Sequence, residues 1–100
     1  MIIYNVTVNI EDSVHDDWVN WMKEVHIPEV MHTGYFLEYL FSKVLVDEQD
    51  GKTYSVQYKC ASMKDLQEYS ALHAPRLQNE TKKRYEGKYV AFRTLLEVVE

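Results

Sequence analysis

Apolar and polar side chains alternate along residues 2–10, which is the period of a β-strand with one apolar face. The apolar face consists of Ile2, Tyr4, Val6, Val8 and Ile10. The opposite face is mostly polar, and the many β-branched residues favour the same assignment. Residues 2–10 therefore predict a first strand that covers a core on one side.

An amphipathic helix is predicted from Ser13 onward. Ser13 and Asp16 have the spacing of a capping box, and apolar residues then recur at helical spacing. The members of this apolar stripe are Val14, Trp18, Trp21, Met22 and Val25. Pro28 disfavours helical geometry at the residue before it, so we expect the helix to break at residues 26–28. One further turn should then end at Gly34, which suits a left-handed helix stop.

The second strand differs from the first because residues 35–47 are apolar on both of its faces. Such a strand should be covered on both sides. Asp50 and Gly51 then predict a hairpin with a loop longer than two residues. Residues 53–61 alternate again and are predicted to form the returning strand.

A second helix is predicted from Ser62, which has the same capping spacing to Asp65. Its apolar stripe comprises Leu66, Tyr69, His73 and Leu77. Pro75 divides this helix as Pro28 divides the first helical region, and a charged helical segment then ends at Gly87.

The last strand is predicted over residues 89–99, which completes the order β-α-β-β-α-β. This order is typical of an α+β, ferredoxin-like domain, in which a four-stranded antiparallel sheet carries two helices on one face. Residues 1–100 are expected to form this single domain. The helix-free face should not remain solvated if the second strand is apolar on both sides, so we expect a second copy to cover it. Two sheets packed in this way make a homodimeric α+β barrel.

Composition and charge argue against several classes of partner. Sixteen acidic against eleven basic residues give a net charge of −5, which argues against nucleic acid. No apolar run approaches the ~18 residues that a membrane helix needs, and no signal peptide precedes the first strand. The single cysteine, Cys60, excludes an internal disulfide and fits a reducing compartment. A cytoplasmic location without nucleic-acid or membrane partners is therefore expected.

Four motifs along the whole chain carry a resemblance to a known family. They are W-x-x-x-x-H-I-P-E (Trp21–Glu29), Y-S-V-Q-Y (Tyr54–Tyr58), H-A-P-R-L (His73–Leu77) and V-A-F-R-T-L-L-E-V-V (Val90–Val99). In this order they resemble a bacterial domain-of-unknown-function family of the dimeric α+β-barrel superfamily. The resemblance implies the fold and the dimer but no activity. The superfamily includes cofactor-free monooxygenases, haem enzymes, isomerases and ligand-binding regulators, so the fold does not select a reaction.

Two histidines next to predicted helix breaks are candidate catalytic residues. His26 precedes Pro28, and His73 precedes Pro75. A histidine in such a place can act as a general base or hold a substrate, because its ordinary pKa lies near neutrality. It can equally be structural and bond to the backbone groups that a broken helix leaves free. If both histidines serve one site, they should converge on one cavity.

The chain has eight tyrosines, which is unusual for its length. Tyr54 and Tyr58 lie on the apolar face of the returning strand and are candidate ligand-binding residues, since a hydroxyl-lined aromatic cavity suits a planar ligand. Arg76 and Arg93 are the cations best placed to meet an acidic ligand, although Arg93 can equally pair with Glu38 across a dimer interface. An ordinary core whose tyrosine hydroxyls reach the surface is the alternative.

No metal and no other cofactor is predicted. The chain lacks closely spaced histidine pairs and has one cysteine, so a metal site would have to be assembled from His26, His73 and Glu29. Three isolated glycines do not form a phosphate-binding loop. A haem site would need an axial histidine facing a large cavity, for which 100 residues leave limited room.

The sequence thus predicts a homodimer that binds or transforms a small molecule, aromatic or acidic, in a pocket between sheet and helices. The alternative is a structural or regulatory homodimer whose pocket is only packing. The residue pattern does not decide whether the protein is an enzyme, because neither histidine belongs to a specific catalytic motif.

Overall fold

Four strands form a single antiparallel sheet in the computed structural model, which describes residues 1–47 and 50–100. The strands are β1 (Ile2–Ile10), β2 (Glu38–Lys43), β3 (Lys52–Cys60) and β4 (Tyr89–Glu97). Their order across the sheet is β2-β3-β1-β4, and every neighbouring pair is antiparallel. Helices connect β1 to β2 and β3 to β4, so the predicted ferredoxin-like α+β fold is confirmed.

The core lies between the helices and one face of the sheet. Tyr4 and Val8 of β1 and Val56 and Tyr58 of β3 are buried in it. The most completely buried side chains are Trp18, Ile10, Ile27, Leu77, Val30, Val56 and Cys60. The alternation along β1 therefore predicted the core face correctly, because side chains two positions apart share a face.

The first helical region does not break before Pro28, contrary to the prediction from the sequence. It runs continuously through a 3₁₀ turn (Asp12–Val14), α1 (His15–Trp21), a π turn (Met22–His26) and α2 (Ile27–His32). In a regular α-helix, Pro28 would clash with the carbonyl four residues earlier and would have no amide hydrogen to bond to it. The π turn holds one extra residue, and the Ile27 amide accordingly donates to the carbonyl of Met22. A wider turn thus accommodates the proline.

The π turn changes which side chains after it face the core. The sequence places Val25 on the buried stripe, but its side chain is 39% exposed. The extra residue rotates the following positions back by about 100°, the advance of one residue in an α-helix. Ile27 and Val30 therefore enter the core, and His26 takes the inward position that the sequence assigned to Val25. The region ends at Gly34, whose φ of 83° confirms the left-handed stop.

The two predicted helix caps have different outcomes. Ser62 Oγ accepts a hydrogen bond from the Asp65 amide at 3.2 Å, as its spacing predicts. Ser13 caps nothing, since it lies inside the 3₁₀ turn and its hydroxyl donates to Glu11 Oε1 at 2.8 Å. The prediction at Ser13 is wrong because helical structure already begins at Asp12, so Ser13 is past the capping position.

The second helical region is divided at His73, beside Pro75, as predicted. Helix α3 spans Met63–Leu72 and helix α4 spans Ala74–Tyr85. Their buried side chains are Leu66, Tyr69, Ala74, Leu77 and Tyr85. Over the described residues, none of the helices is long and apolar enough to cross a membrane.

The second strand is shorter and more exposed than predicted. Regular pairing covers Glu38–Lys43 rather than residues 35–47, and Phe36 alone among the described residues of this segment is fully buried. β2 lies at the edge of the sheet, so few other parts of the same chain reach its side chains. Leu40, on the helix-free face, is 61% exposed. The predicted cover on both faces is therefore not provided within one copy of the chain.

Candidate functional site

A cavity of about 50 Å³ lies between the sheet and the helices. Its apolar walls include Val6, Val8, Trp18, Met22, Val30 and Val56. Its polar lining includes His26, Tyr4, Tyr58, Tyr69, Thr81 and Arg93. An apolar body with a few polar groups is the usual composition of a small-molecule site.

His26 reaches the wall of this cavity because the π turn rotates it inward. Its ring stacks on Trp21, with the centroids 4.9 Å apart and 25° between the ring planes. Within residues 1–47 and 50–100, its Nδ1 is the one buried side-chain nitrogen or oxygen without a hydrogen-bond partner. An unpaired buried polar atom costs about 1–3 kcal/mol. This nitrogen is therefore a candidate for a bond to a group that the protein itself does not supply.

The electrostatic surroundings keep the His26 imidazole neutral. Burial lowers the pKa of His26 from its ordinary 6.5 to about 4; the Glu80 carboxylate opposes this change and the Arg93 guanidinium adds to it. At neutral pH the ring is an uncharged group with one nitrogen that accepts a hydrogen bond.

Side chains of α4 contact Trp21, the residue on which His26 stacks. The Tyr85 ring meets the indole edge-on with the centroids 5.5 Å apart, and the Arg84 guanidinium lies 5.8 Å from the indole centroid. The Tyr85 hydroxyl donates to Asp17 Oδ2 at 2.7 Å. These contacts join the first helical region to α4 and fix the surface on which the imidazole rests.

Tyr58, a candidate ligand-binding residue from the sequence, lies on the cavity wall. Burial raises the pKa of Tyr58 and of Tyr69 above the ordinary value of a phenol, and the neighbouring Tyr4 adds to both increases. Both phenols are therefore uncharged at neutral pH and able to donate a hydrogen bond.

Arg93, which is exposed to solvent, lines both the cavity and a second pocket beside it. A shallow surface pocket between α4 and β4 shares Gln78, Tyr89, Ala91 and Arg93 with the cavity, and we call it the mouth. Arg93 Nε donates to the Tyr4 hydroxyl at 2.9 Å. The guanidinium is therefore fixed against the phenol at the entrance, with its terminal nitrogens free of that bond.

The structure separates His73 from His26. His73 lies in an outer groove between the two helical regions, and the groove does not share lining residues with the cavity. Its ring is tilted against Tyr35 and stacked on Tyr69, rather than facing the returning strand. The condition for a shared site, that the two histidines line one cavity, is therefore not met, because the π turn directs His26 toward the sheet whereas the α3–α4 junction leaves His73 in the outer groove.

Arg76 lies in the same outer groove and does not line the cavity. Its guanidinium pairs with Glu80 at 3.7 Å, in the i,i+4 arrangement of a helix surface. Partial burial, a hydrogen bond with Glu80 and repulsion from that residue raise the pKa of Glu29 in this groove, while Arg76 opposes the increase. The groove therefore carries charged groups of both signs.

Tyr54 does not line the cavity, and it contacts a histidine that the sequence pattern did not single out. The Tyr54 hydroxyl lies 2.7 Å from His15 Nε2, and His15 Nδ1 lies 2.8 Å from Asp16 Oδ1. The Tyr54 ring also packs 5.2 Å from Trp18, between centroids. These contacts join the start of α1 to β3.

No metal-binding arrangement is found in the described part of the chain, where no three or more His, Cys, Asp or Glu side chains are grouped to hold an ion.

The polar groups of the candidate site belong to residues that line the cavity, namely His26, Tyr4, Tyr58, Tyr69 and Arg93. These groups can accept one hydrogen bond, donate several, and attract an anion.

A family model described as Domain of unknown function (DUF4286) matches residues 1–99. The chain belongs to this family. The resemblance inferred from the four motifs is confirmed, and family membership brings no established activity with it. A search of curated proteins finds no significant match.

Solved structures share the fold at low sequence identity. A dimeric ferredoxin-like protein from an uncultured marine organism is 10% identical, with 100% of this chain and 96% of that chain covered and a TM-score of 0.74. SnoaB, a cofactor-independent oxygenase from Streptomyces nogalater, is 9% identical, with 99% and 94% covered and a TM-score of 0.68. MhuD, with manganese protoporphyrin IX bound, is 13% identical, with 100% and 96% covered and a TM-score of 0.71. Such identities establish the fold alone.

Proposed function

We propose that this chain is a cytoplasmic homodimer whose cavity between sheet and helices binds a small acidic molecule beside His26 and Tyr58. One observation carries the proposal: an apolar cavity has a neutral imidazole on its wall, and a nitrogen of that imidazole is buried without a protein partner. The buried, unpaired Cys60 is consistent with a reducing compartment.

The volume of the cavity favours a short ligand over an aromatic one. The cavity measures about 50 Å³, whereas an apolar cavity of about 150 Å³ holds one benzene molecule. An aromatic ring would therefore need side chains to move apart, at a cost in packing energy. A short aliphatic chain enters with less displacement, and its polar end remains in the mouth.

Binding is better supported than proton abstraction by the free protein. With a pKa near 4, protonating His26 at pH 7 costs about 4 kcal/mol. The ring therefore serves first as a hydrogen-bond acceptor. A bound anion would raise this pKa and lower the cost, which is the condition under which His26 would become a general base.

Calorimetric titration with butyrate tests the cavity. We expect saturable binding that is tighter than that of benzoate, because the ring is too large for the cavity as it stands. For 4-hydroxybutyrate, whose hydroxyl can donate to the imidazole, His26→Leu should weaken binding by about tenfold, the equivalent of one lost hydrogen bond of about 1.4 kcal/mol, whereas butyrate affinity should change little. Ala91→Leu, which places a larger side chain at the boundary of cavity and mouth, should abolish binding while the circular dichroism spectrum is unchanged.

The outer groove supplies the matched control. His32→Gln and Arg76→Gln should leave butyrate affinity unchanged, because both residues line the outer groove and neither lines the cavity. The reverse result, with butyrate affinity lost in these two variants and kept in Ala91→Leu, would transfer the binding site to the outer groove. The absence of binding in every variant and in the wild type would leave the structural or regulatory homodimer as the preferred function.

The helix-free face of the sheet supports the homodimer. Val90, Phe92 and Leu96 of β4 project from this face, and Phe92 is 63% exposed. Leu40 of β2 adds an apolar side chain at the opposite edge. Exposed apolar groups of this kind are typical of an interface, and a sheet face that meets its own copy forms a two-fold dimer.

The centre of the same face is polar but internally hydrogen-bonded. Ser55 Oγ donates to Asn5 Oδ1 at 2.6 Å, and Asn5 Nδ2 donates to Thr7 Oγ1 at 3.1 Å. Because these groups already have partners, covering them costs less than covering free polar groups. The structural relative from an uncultured marine organism is a dimeric ferredoxin-like protein, which adds support to the same assembly.

Sedimentation velocity tests the dimer and the face that forms it. We expect the wild type to sediment as a dimer at micromolar concentration, and Phe92→Glu to sediment as a monomer because it buries an unpaired charge in the interface. Leu45→Glu is the control, since Leu45 is exposed beyond the end of β2. If the wild type remains monomeric as its concentration rises, the proposed dimer and barrel are contradicted.

A further inference from the structure

The mouth of the cavity carries a local excess of positive charge. Arg93 and Lys82 both line it. Neither the mouth nor the cavity has a carboxylate among its described lining residues. The chain as a whole has a net charge of −5, so this cationic patch stands out from its surroundings. A concave site lined by one sign of charge attracts ligands of the opposite sign.

Arg93 differs from the other two arginines of the chain. Arg76 pairs with Glu80 at 3.7 Å, and Arg84 pairs with Asp17 at 3.4 Å. For Arg93, the described residues provide no carboxylate within ion-pair distance, and its Nε donates to the Tyr4 hydroxyl. A guanidinium held in place without a protein anion is ready to receive one from a ligand.

We propose that Arg93 and Tyr4 recognise the carboxylate of a short aliphatic acid and thereby orient it in the cavity. The inference rests on the proposed function and specifies its ligand. The planar guanidinium offers parallel N–H groups that match the two oxygens of a carboxylate. The Tyr4 oxygen already accepts from Arg93 Nε, so its own proton is available for a ligand oxygen.

The inner wall and the mouth of the site then favour different chemical groups on the ligand. Neutral His26 at the inner wall accepts a hydrogen bond and does not attract an anion, whereas Arg93 at the mouth attracts one. The carboxylate therefore stays at the mouth, and the aliphatic chain enters the cavity. A hydroxyl group on the far carbon would donate to the imidazole, so the best ligands are short hydroxy acids.

The test compares two ligands with the same carbon chain, one that carries a negative charge and one that is neutral. Butyrate and butyramide are titrated by calorimetry into the wild type and into Arg93→Gln, Tyr4→Phe and the charge control Lys64→Gln. Butyrate should bind the wild type at least tenfold more tightly than butyramide. Arg93→Gln should reduce butyrate affinity about tenfold and leave butyramide affinity unchanged. Lys64 is exposed on α3 and lines no described pocket, so Lys64→Gln should have no effect.

A second readout separates ligand recognition from fold support. 4-Hydroxybutyrate should bind more tightly than butyrate in the wild type, and this advantage should disappear in His26→Leu, which has no acceptor, but persist in Arg93→Gln. Equal binding of butyrate and butyramide, with no change in Arg93→Gln, would overturn carboxylate recognition while leaving a ligand-binding cavity. Failure of all these ligands to bind would overturn both proposals.

Discussion

Replacing Trp18 by alanine is expected to lower the free energy of unfolding by about 3–5 kcal/mol. Trp18 is 1% exposed, and its ring packs against Phe41 and Tyr54 with centroids 5.7 and 5.2 Å away. The substitution removes these contacts and leaves a cavity that the sheet and helices cannot fully close. Urea denaturation followed by circular dichroism measures the loss.

Val25→Ala is the matched test of the π turn in the same helical region. A regular α-helix would bury Val25 beside Trp18, and its truncation would then be costly. With the π turn, Val25 is 39% exposed, and we expect a change within about 0.5 kcal/mol. A loss of stability above about 1.5 kcal/mol would mean that Val25 is buried in the core. It would contradict the rotation that places His26 on the cavity wall.

The second large effect is a loss of stability on acidification that depends on His26. Its pKa is about 4 in the folded protein against an ordinary 6.5. Between these values the unfolded chain binds a proton that the folded chain does not, so stability falls as pH falls. From pH 7.5 to pH 4.5 the wild type should lose about 2–3 kcal/mol more than His26→Gln.

The comparison with His26→Gln isolates the histidine from the carboxylates. Most carboxyl groups titrate in the same range, but they are present in both proteins and cancel in the difference. Urea denaturation at a series of pH values gives both curves. If the two curves remain parallel from pH 7.5 to pH 4.5, the imidazole is not buried as the structure places it.

The fold was predictable because its period-two strands and its second helical region follow local rules. The alternation along residues 2–10 marked the core face of β1, and the Ser62 cap and the break beside Pro75 both occur as predicted. β2 was overestimated in length, because an apolar segment at a sheet edge looks in sequence like a strand buried on both faces.

The site was less predictable because it depends on the number of residues in one helical turn. Pro28 alone did not distinguish a helix break from a widened turn. A signal was present: Met22 and Ile27 are five positions apart, and Ile27 and Val30 join the apolar stripe only if one residue is inserted after Met22. That insertion turns His26 toward the cavity, whereas His73 lies in the outer groove.

Other site residues depend on contacts between distant parts of the chain. Arg93 and Tyr4 lie on neighbouring strands β4 and β1, and their bond follows from a register that the sequence pattern does not specify. Gln78 and Thr81 reach the cavity from α4 but occur within a strongly charged segment. Tyr54, in contrast, was assigned to the pocket by its face of β3 and instead contacts His15.

A small acid is expected to bind in the cavity on whose wall the π turn places His26. Amide and imidazole NMR signals recorded during a butyrate titration test it most directly. Saturable shifts are expected at His26 and at the amides of Val30, Val56 and Ala91, which line the cavity, with no shift at His32 in the outer groove. Shifts confined to His32, or none at His26 up to saturating butyrate, would contradict binding in the cavity.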